Sequence, residues 1–300
     1  MIIDTHTHVV SSDKVKHPLD PGARGWSTEV SNDVEDLIAE MDDAGVECAT
    51  LVQPNATYAL DNTYQCDSAN QYAPRTVSVG ILDPAASDAA DKLFYWVNEH
   101  GMLGVRLQLQ AEPDDPSCDA IWQRAEELGV PVSIGGGGQP DKVNRMRNIG
   151  ARHPNVLFAP DHFAGWSGSD DKPAMTAALE EMAKLPNAHL RVSSTSLGPY
   201  IDLSDSEKDL FRRVIVAFTP QRVMWGSNFP SSRDGGYIGQ LVIAQSALDW
   251  LSRKTAIGSW ADRPTSSGRC CRPHRRSVPA LFPKKLFLQL DEFVGAVDPS

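Results

Sequence analysis

Short apolar runs alternate along the chain with longer segments in which apolar residues recur three and four positions apart. The runs Ile2–Val10, Val46–Gln53, Thr76–Leu82 and Gly104–Leu109 read as strands, as do Pro131–Ile134, Val156–Pro160, His189–Ser193 and Arg222–Trp225. Between them, Val34, Leu37, Ile38 and Met41 form one helical face, with Asp33 placed to cap it. Leu93, Trp96 and Val97 keep similar spacing, as do Ile121, Ala125 and Leu128, and Leu210, Val214 and Phe218. Eight strand–helix units over roughly 250 residues is what a (β/α)8 barrel requires. An open doubly wound sheet shares the alternation but usually carries a glycine fingerprint after its first strand, where this chain has Asp4-Thr5-His6-Thr7-His8. The expected fold is α/β, a (β/α)8 TIM barrel over residues 1–251.

In such a barrel the chemistry sits at the C-terminal ends of the strands. That places His6, His8, Gln53, Asp83, Arg106, Gly135–Gly138, His162, Ser193–Thr195 and Asn228 at one mouth. Alternation along the first strand would point His6 and His8 the same way, about 6–7 Å apart. Two side-by-side imidazoles suit a divalent metal, although exposed histidines at a strand end can also be merely solvated. His162 would supply a third corner, leaving a fourth position for water, whose pKa the metal would lower toward about 7. Arg106 suits bidentate carboxylate recognition; the plainer reading is a buried ion pair between strands. The segment from Ser11 to Asn32 is long for a loop, carries His17, Arg24 and Trp26, and reads as a lid or substrate-binding loop. The four-glycine run ahead of Pro140, which could open a helix, offers backbone N–H groups to an anion or is a plain turn. Ser193-Ser194-Thr195-Ser196 lacks the G-x-S-x-G elbow of a nucleophilic serine.

Composition narrows the partners. The 300 residues carry a net charge of −11, which disfavours nucleic acid and anionic membranes while leaving room for a small anion at a local basic pocket. No apolar stretch approaches the roughly 20 residues a bilayer span needs, and the N-terminal residues lack a signal-peptide pattern. The five cysteines form no CxxC pair, so free thiols and a cytoplasmic location are expected. A homo-oligomer stays open.

The Asp4-Thr-His6-Thr-His8 opening resembles the amidohydrolase superfamily. Gly104-Val-Arg106-Leu, Asp161-His162-Phe-Ala-Gly165 and Arg222-Val-Met-Trp-Gly226-Ser-Asn228-Phe-Pro230 are similar to its amidohydrolase-related branch, which includes lactonases and decarboxylases. The resemblance spans about residues 1–251. It implies a barrel enzyme that hydrolyses lactones, amides or related bonds, or decarboxylates aromatic acids, often with zinc or manganese; some of the lactonases work without a metal. The family's metal-binding, proton-accepting Asp at the end of strand eight is Asn228 here, and the usual strand-five His is absent. A binuclear centre is therefore not expected, and a single ion would rest on His6, His8 and His162. The leading expectation is a hydrolase of a small carboxylated lactone or a similar ester or amide bond. His6, His8, His162, Asp161 and Asn228 form its catalytic set, a His takes the proton in preference to Asp161, and Arg106, His17 and Arg24 bind substrate. The alternatives are a metal-dependent decarboxylase of an aromatic acid and an inactive barrel that binds a small anion.

From Ser252 to Ser300 the character changes. That stretch holds nine Lys and Arg against four acids, +5, while residues 1–251 sum to −16. Arg269-Cys270-Cys271-Arg272-Pro273-His274-Arg275-Arg276 has neither helical nor strand periodicity. It reads as unselected sequence after a frame change that replaces the closing helix, or as a basic partner-binding extension; adjacent cysteines make a poor metal knuckle.

Overall fold

The computed structural model describes residues 2–107 and 114–255. Eight parallel strands run in chain order: β1 (Ile3–Thr7), β2 (Cys48–Val52), β3 (Thr76–Leu82), β4 (Gly104–Leu107), β5 (Val132–Ile134), β6 (Phe158–Pro160), β7 (Leu190–Ser193) and β8 (Val223–Gly226). Strands β1 to β6 form one continuous sheet and β7 pairs with β8. The ring closes through a Phe158–Ala188 bridge on one side. On the other, Asn228 N–H donates to the His6 carbonyl and His8 N–H to the Phe229 carbonyl, each at 2.8 Å. Each strand is followed by a longer helix: α1 (Val34–Ala44), α2 (Thr63–Gln71), α3 (Ala89–His100), α4 (Asp119–Leu128), α5 (Pro140–Arg152), α6 (Lys172–Met182), α7 (Asp205–Phe218) and α8 (Gly236–Thr255). The (β/α)8 barrel expected from the alternation is the observed fold.

Local chemistry explains the element ends. Asp33 and Asp36 close a capping box at the start of α1, and Ser204 and Glu207 do so for α7. Gly45, Gly101 and Gly129 end α1, α3 and α4 in the left-handed conformation. The main core lies between strands and helices. Val105, Leu107, Val132, Ile134, Leu190 and Val192 point into it. Their alternate neighbours Arg106, Ser133, Arg191 and Ser193 are buried and polar, so the inner face of these strands carries the polar groups.

Two features depart from the simple pattern. Strand β1 has a register irregularity between Asp4 and Thr7. Asp4 reaches Tyr237 on α8 at 2.9 Å, whereas Thr5 takes a hydrogen bond from Arg191. The next residue, His6, also faces inward, beside Asp161 and His162, so alternation alone does not describe this strand; the irregularity re-aims it where it enters the mouth. The closing helix is α8, which begins well before the compositional break at Ser252, ends four residues into it and packs on α1. Residues 256–300, including Cys270, Cys271 and the Phe287–Val294 segment, lie outside the described residues, as do Gln108 and Leu109 at the expected end of β4. Among the described residues no helix is long and apolar enough to cross a membrane.

Candidate active site

A buried carboxylate organises the mouth. Asp161 follows β6 and is 1% exposed. Its Oδ2 lies 2.7 Å from Arg106 Nε, and its Oδ1 accepts hydrogen bonds from Ser133 Oγ at 2.7 Å and from Arg191 Nη1. Arg191 also donates to Ser133 Oγ at 2.7 Å and to Thr5 Oγ1 at 3.3 Å. Burial alone would raise this carboxyl, but the two guanidinium groups hold it well below the usual carboxylate range. A carboxylate so strongly held is a poor proton acceptor, which takes Asp161 out of contention as the base. Arg106 likewise commits its Nε edge to an ion pair linking β4 to β6, as the plainer reading of the sequence had it. Its side chain keeps 11% exposure.

The three imidazoles converge beside this carboxylate. The His6 ring centroid lies 5.0 Å from that of His8 and 4.7 Å from that of His162. His6 Nδ1 is 3.6 Å from Asp161 Oδ1, too far for a hydrogen bond, and among the described residues neither of its buried ring nitrogens has a hydrogen-bond partner. His8 Nδ1 is 2.7 Å from the Val52 carbonyl oxygen. That oxygen can only accept, so Nδ1 carries the proton and Nε2 the lone pair. Nε2 faces Asn228 Oδ1 at 3.3 Å. Asn228 Nδ2 donates to Thr195 Oγ1 and Ser232 Oγ. His162 Nδ1 lies 2.7 Å from Ser193 Oγ. Burial pulls His8 and His162 down to about 4, and His6 well below its ordinary value despite Asp161. All three are neutral at pH 7.

The zinc or manganese expected at His6, His8 and His162 requires three or four converging lone pairs. His6, with both nitrogens unpartnered, and His8 Nε2 suit an ion. His162 has its Nδ1 engaged by a serine, and the position opposite His8 is an amide, a weak ligand. Among the described residues no group of three or more His, Cys, Asp and Glu side chains is arranged to hold a metal. The rings meet as expected, but they do not form the expected three-donor ligand set.

The long loop contributes a residue other than those expected to bind substrate. Arg24 is exposed and turns back to the Gly22 carbonyl, and His17 packs on Tyr64. Trp26 lies against His8 with ring centroids 5.6 Å apart. The glycine run serves close packing: a Cβ on Gly137 would sit 2.0 Å from the Ala164 carbonyl oxygen, and Gly138 N–H donates to that oxygen. Gly226 is equally constrained, since its Cβ would lie 2.5 Å from His6 Cβ and 2.9 Å from His6 N. Gly226→Ala must push β1 and β8 apart. The expected outcome is a melting temperature lower by several degrees, from about 1–3 kcal/mol of overpacking, together with loss of turnover as His6 is displaced. A wild-type melting curve would contradict it.

An amidohydrolase family model matches residues 3–256. The chain is 28% identical over 254 residues to an L-fucono-1,5-lactonase of Burkholderia ambifaria, covering 79% of this chain and 83% of that protein. It is 25% identical to a D-galactarolactone isomerase of Agrobacterium fabrum, covering 85% and 86%. A crystal structure of a probable 2-pyrone-4,6-dicarboxylic acid hydrolase of Acinetobacter baumannii with citric acid bound superposes with a TM-score of 0.65 at 18% identity, covering 84% of this chain and 94% of that one. With the barrel, the His-Thr-His entry and a match running to the end of α8, the chain belongs to the amidohydrolase family.

Proposed function

We propose that this chain hydrolyses a small carboxylated lactone with water activated by His8. The observation that carries the reading is the pair of acceptors, His8 Nε2 and Asn228 Oδ1, facing one another at 3.3 Å. A water seated there donates one O–H to each. Asn228 orients the nucleophile and cannot take its proton; His8 Nε2 can. Attack on the lactone carbonyl forms the C–O bond as His8 accepts the proton. Collapse breaks the ring C–O bond, and the imidazolium returns the proton to the leaving alkoxide. A neighbourhood that holds His8 near 4 makes its imidazolium a strong acid for that second step. The free edge of Arg106 holds the substrate carboxylate, and Trp26 walls the pocket. The donors fall short of a metal ligand set among the described residues. Relatives named for a fuconolactone, a galactarolactone and a pyrone dicarboxylate support a cyclic ester with oxygen-rich substituents. The free thiols of Cys48 and Cys66 support a cytoplasmic location.

The test is acid release from a panel of aldonolactones and pyrone carboxylates, followed at constant pH with and without chelator, on protein whose metal content is measured. Turnover that survives chelation supports the reading, and activity that strictly follows a bound ion contradicts it. Asn228→Asp sharpens this. A carboxylate beside His8 should move the acid limb of kcat/KM upward by about one to three pH units and provide a third donor that raises divalent-metal affinity. An unmoved limb would mean that His8 does not face residue 228 in the working enzyme.

A further inference from the structure

We propose that Ser193 is a positioning residue that fixes His162 as the Nε2–H tautomer, so that His162 donates a hydrogen bond to the lactone carbonyl oxygen. This rests on the lactonase reading for its substrate, though not for the tautomer. The argument is a proton count. Ser193 is fully buried, and its hydroxyl carries one proton that needs an acceptor. Within its capping box with Ser196, the Ser193 oxygen faces the Ser196 backbone N–H, a donor, while Ser196 Oγ is engaged with Ser193's own backbone N–H and carbonyl. The recorded side-chain partner of Ser193 Oγ is His162 Nδ1, at 2.7 Å. The hydroxyl proton therefore goes to His162 Nδ1, which must present its lone pair there. In a neutral imidazole the remaining proton then sits on Nε2. His8 shows the opposite arrangement: its Nδ1–H is committed to the Val52 carbonyl and its lone pair is on Nε2. The two rings, each close to His6, thus hold complementary states, one accepting the water's proton and one donating toward the oxyanion.

Neither ring exchanges roles without leaving a buried polar group unsatisfied. Were His162 protonated on Nδ1, the serine oxygen would accept from that N–H as well as face the Ser196 N–H, and its own hydroxyl proton would be left in a buried site with no acceptor among the described residues. The backbone is unusual at the same point: His162, Phe163 and Ala164 all have positive φ.

The test uses the full-length protein, uniformly labelled with nitrogen-15. The His162 ring nitrogens should report a single Nε2–H tautomer with a hydrogen-bonded Nδ1. Ser193→Ala should give tautomer-averaged shifts and lower kcat by on the order of tenfold or more, with KM little changed; Ser193→Thr, which keeps the hydroxyl, should recover most of both. Because Ser193→Ala also breaks the capping box, Ser196→Ala is the control: it breaks the same box and leaves the hydroxyl on His162, so it should keep the tautomer and most of kcat. An Nδ1–H tautomer in the wild-type protein, or equal losses in the two alanine variants, would overturn the proposal. The tautomer is read without substrate, so a chain that opens no lactone would refute the activity and leave this assignment standing or falling on its own spectrum.

Discussion

Asp161→Ala is expected to be the most destabilising single change in the barrel. It removes the shared partner of Arg106 and Arg191, both nearly buried. Breaking a buried ion pair by deleting one member costs about 3–5 kcal/mol, because the surviving charge stays desolvated. For a chain of this size that lowers the melting temperature by roughly 10 °C. Ser133→Ala touches the same carboxylate and removes one hydroxyl bond of 2.7 Å; it should cost only about 1–3 kcal/mol. The comparison separates charge from hydrogen bonding. Replacing Arg191 by Met together with Asp161 by Asn should restore part of the loss, since it removes charges of both signs and fills similar volume. Thermal melts of the three variants decide the matter; an Asp161→Ala melt within a degree or two of wild type would show that water reaches the two arginines. Acid should act on the same cluster. The Asp161 carboxyl is held below its unfolded value, so its contribution is present above about pH 4 and is lost as pH falls through its folded pKa.

The barrel was legible because its strands are short apolar runs and the strand ends carry polar residues that a core would not tolerate. His6, His8, His162 and Asn228 follow from that position and Asp161 from the resemblance, and all five meet at one mouth. Arg191 was available to the same argument and was missed. It stands between Leu190 and Val192 in a strand whose other members are core, and a guanidinium there demands a buried anion; sequence shows the demand but not which carboxylate meets it. Within the loop the sequence names Trp26 beside His17 and Arg24 but does not single it out; an indole loses less hydration than a guanidinium when it lies on a buried imidazole. The irregularity in β1 could not be read, because it lies in the register of β1 on β2, which is set by contacts between segments some forty residues apart. Helix α8 was obscured by its own hydrophobicity. Tyr237, Leu241, Ala244 and Leu248 are buried, while Ile238 and Val242 are 48% and 51% exposed, so the apolar positions do not fall into one stripe and the helical period is hidden. The break in composition at residue 252 follows the last buried turn of that helix, so the basic stretch does not replace the closing layer.

His8→Gln should abolish lactone turnover while leaving the fold in place. The amide can keep the bond to the Val52 carbonyl and a contact with Asn228, so the packing between β1 and β2 survives. What it cannot do is accept a proton from water at neutral pH. General-base assistance accounts for about 10²–10⁴ in rate, and the loss should appear in kcat and kcat/KM alike, because the proton moves only in the transition state. In the wild-type enzyme kcat/KM should fall on the acid side with an apparent pKa near 4, not near the 6.5 of a solvated imidazole, since burial holds His8 at about 4. Stability carries the same signature. A histidine whose folded pKa lies below its unfolded one favours the native state fully above about pH 6.5, and that contribution fades as pH falls toward 4, where the unfolded chain binds a proton that the folded site resists. His8→Gln should flatten this part of the stability curve. A variant that retained a tenth or more of wild-type kcat, or a wild-type acid limb at pH 6 to 7, would move the base away from His8 and leave His6 Nε2, unpartnered and buried beside it, as the remaining acceptor.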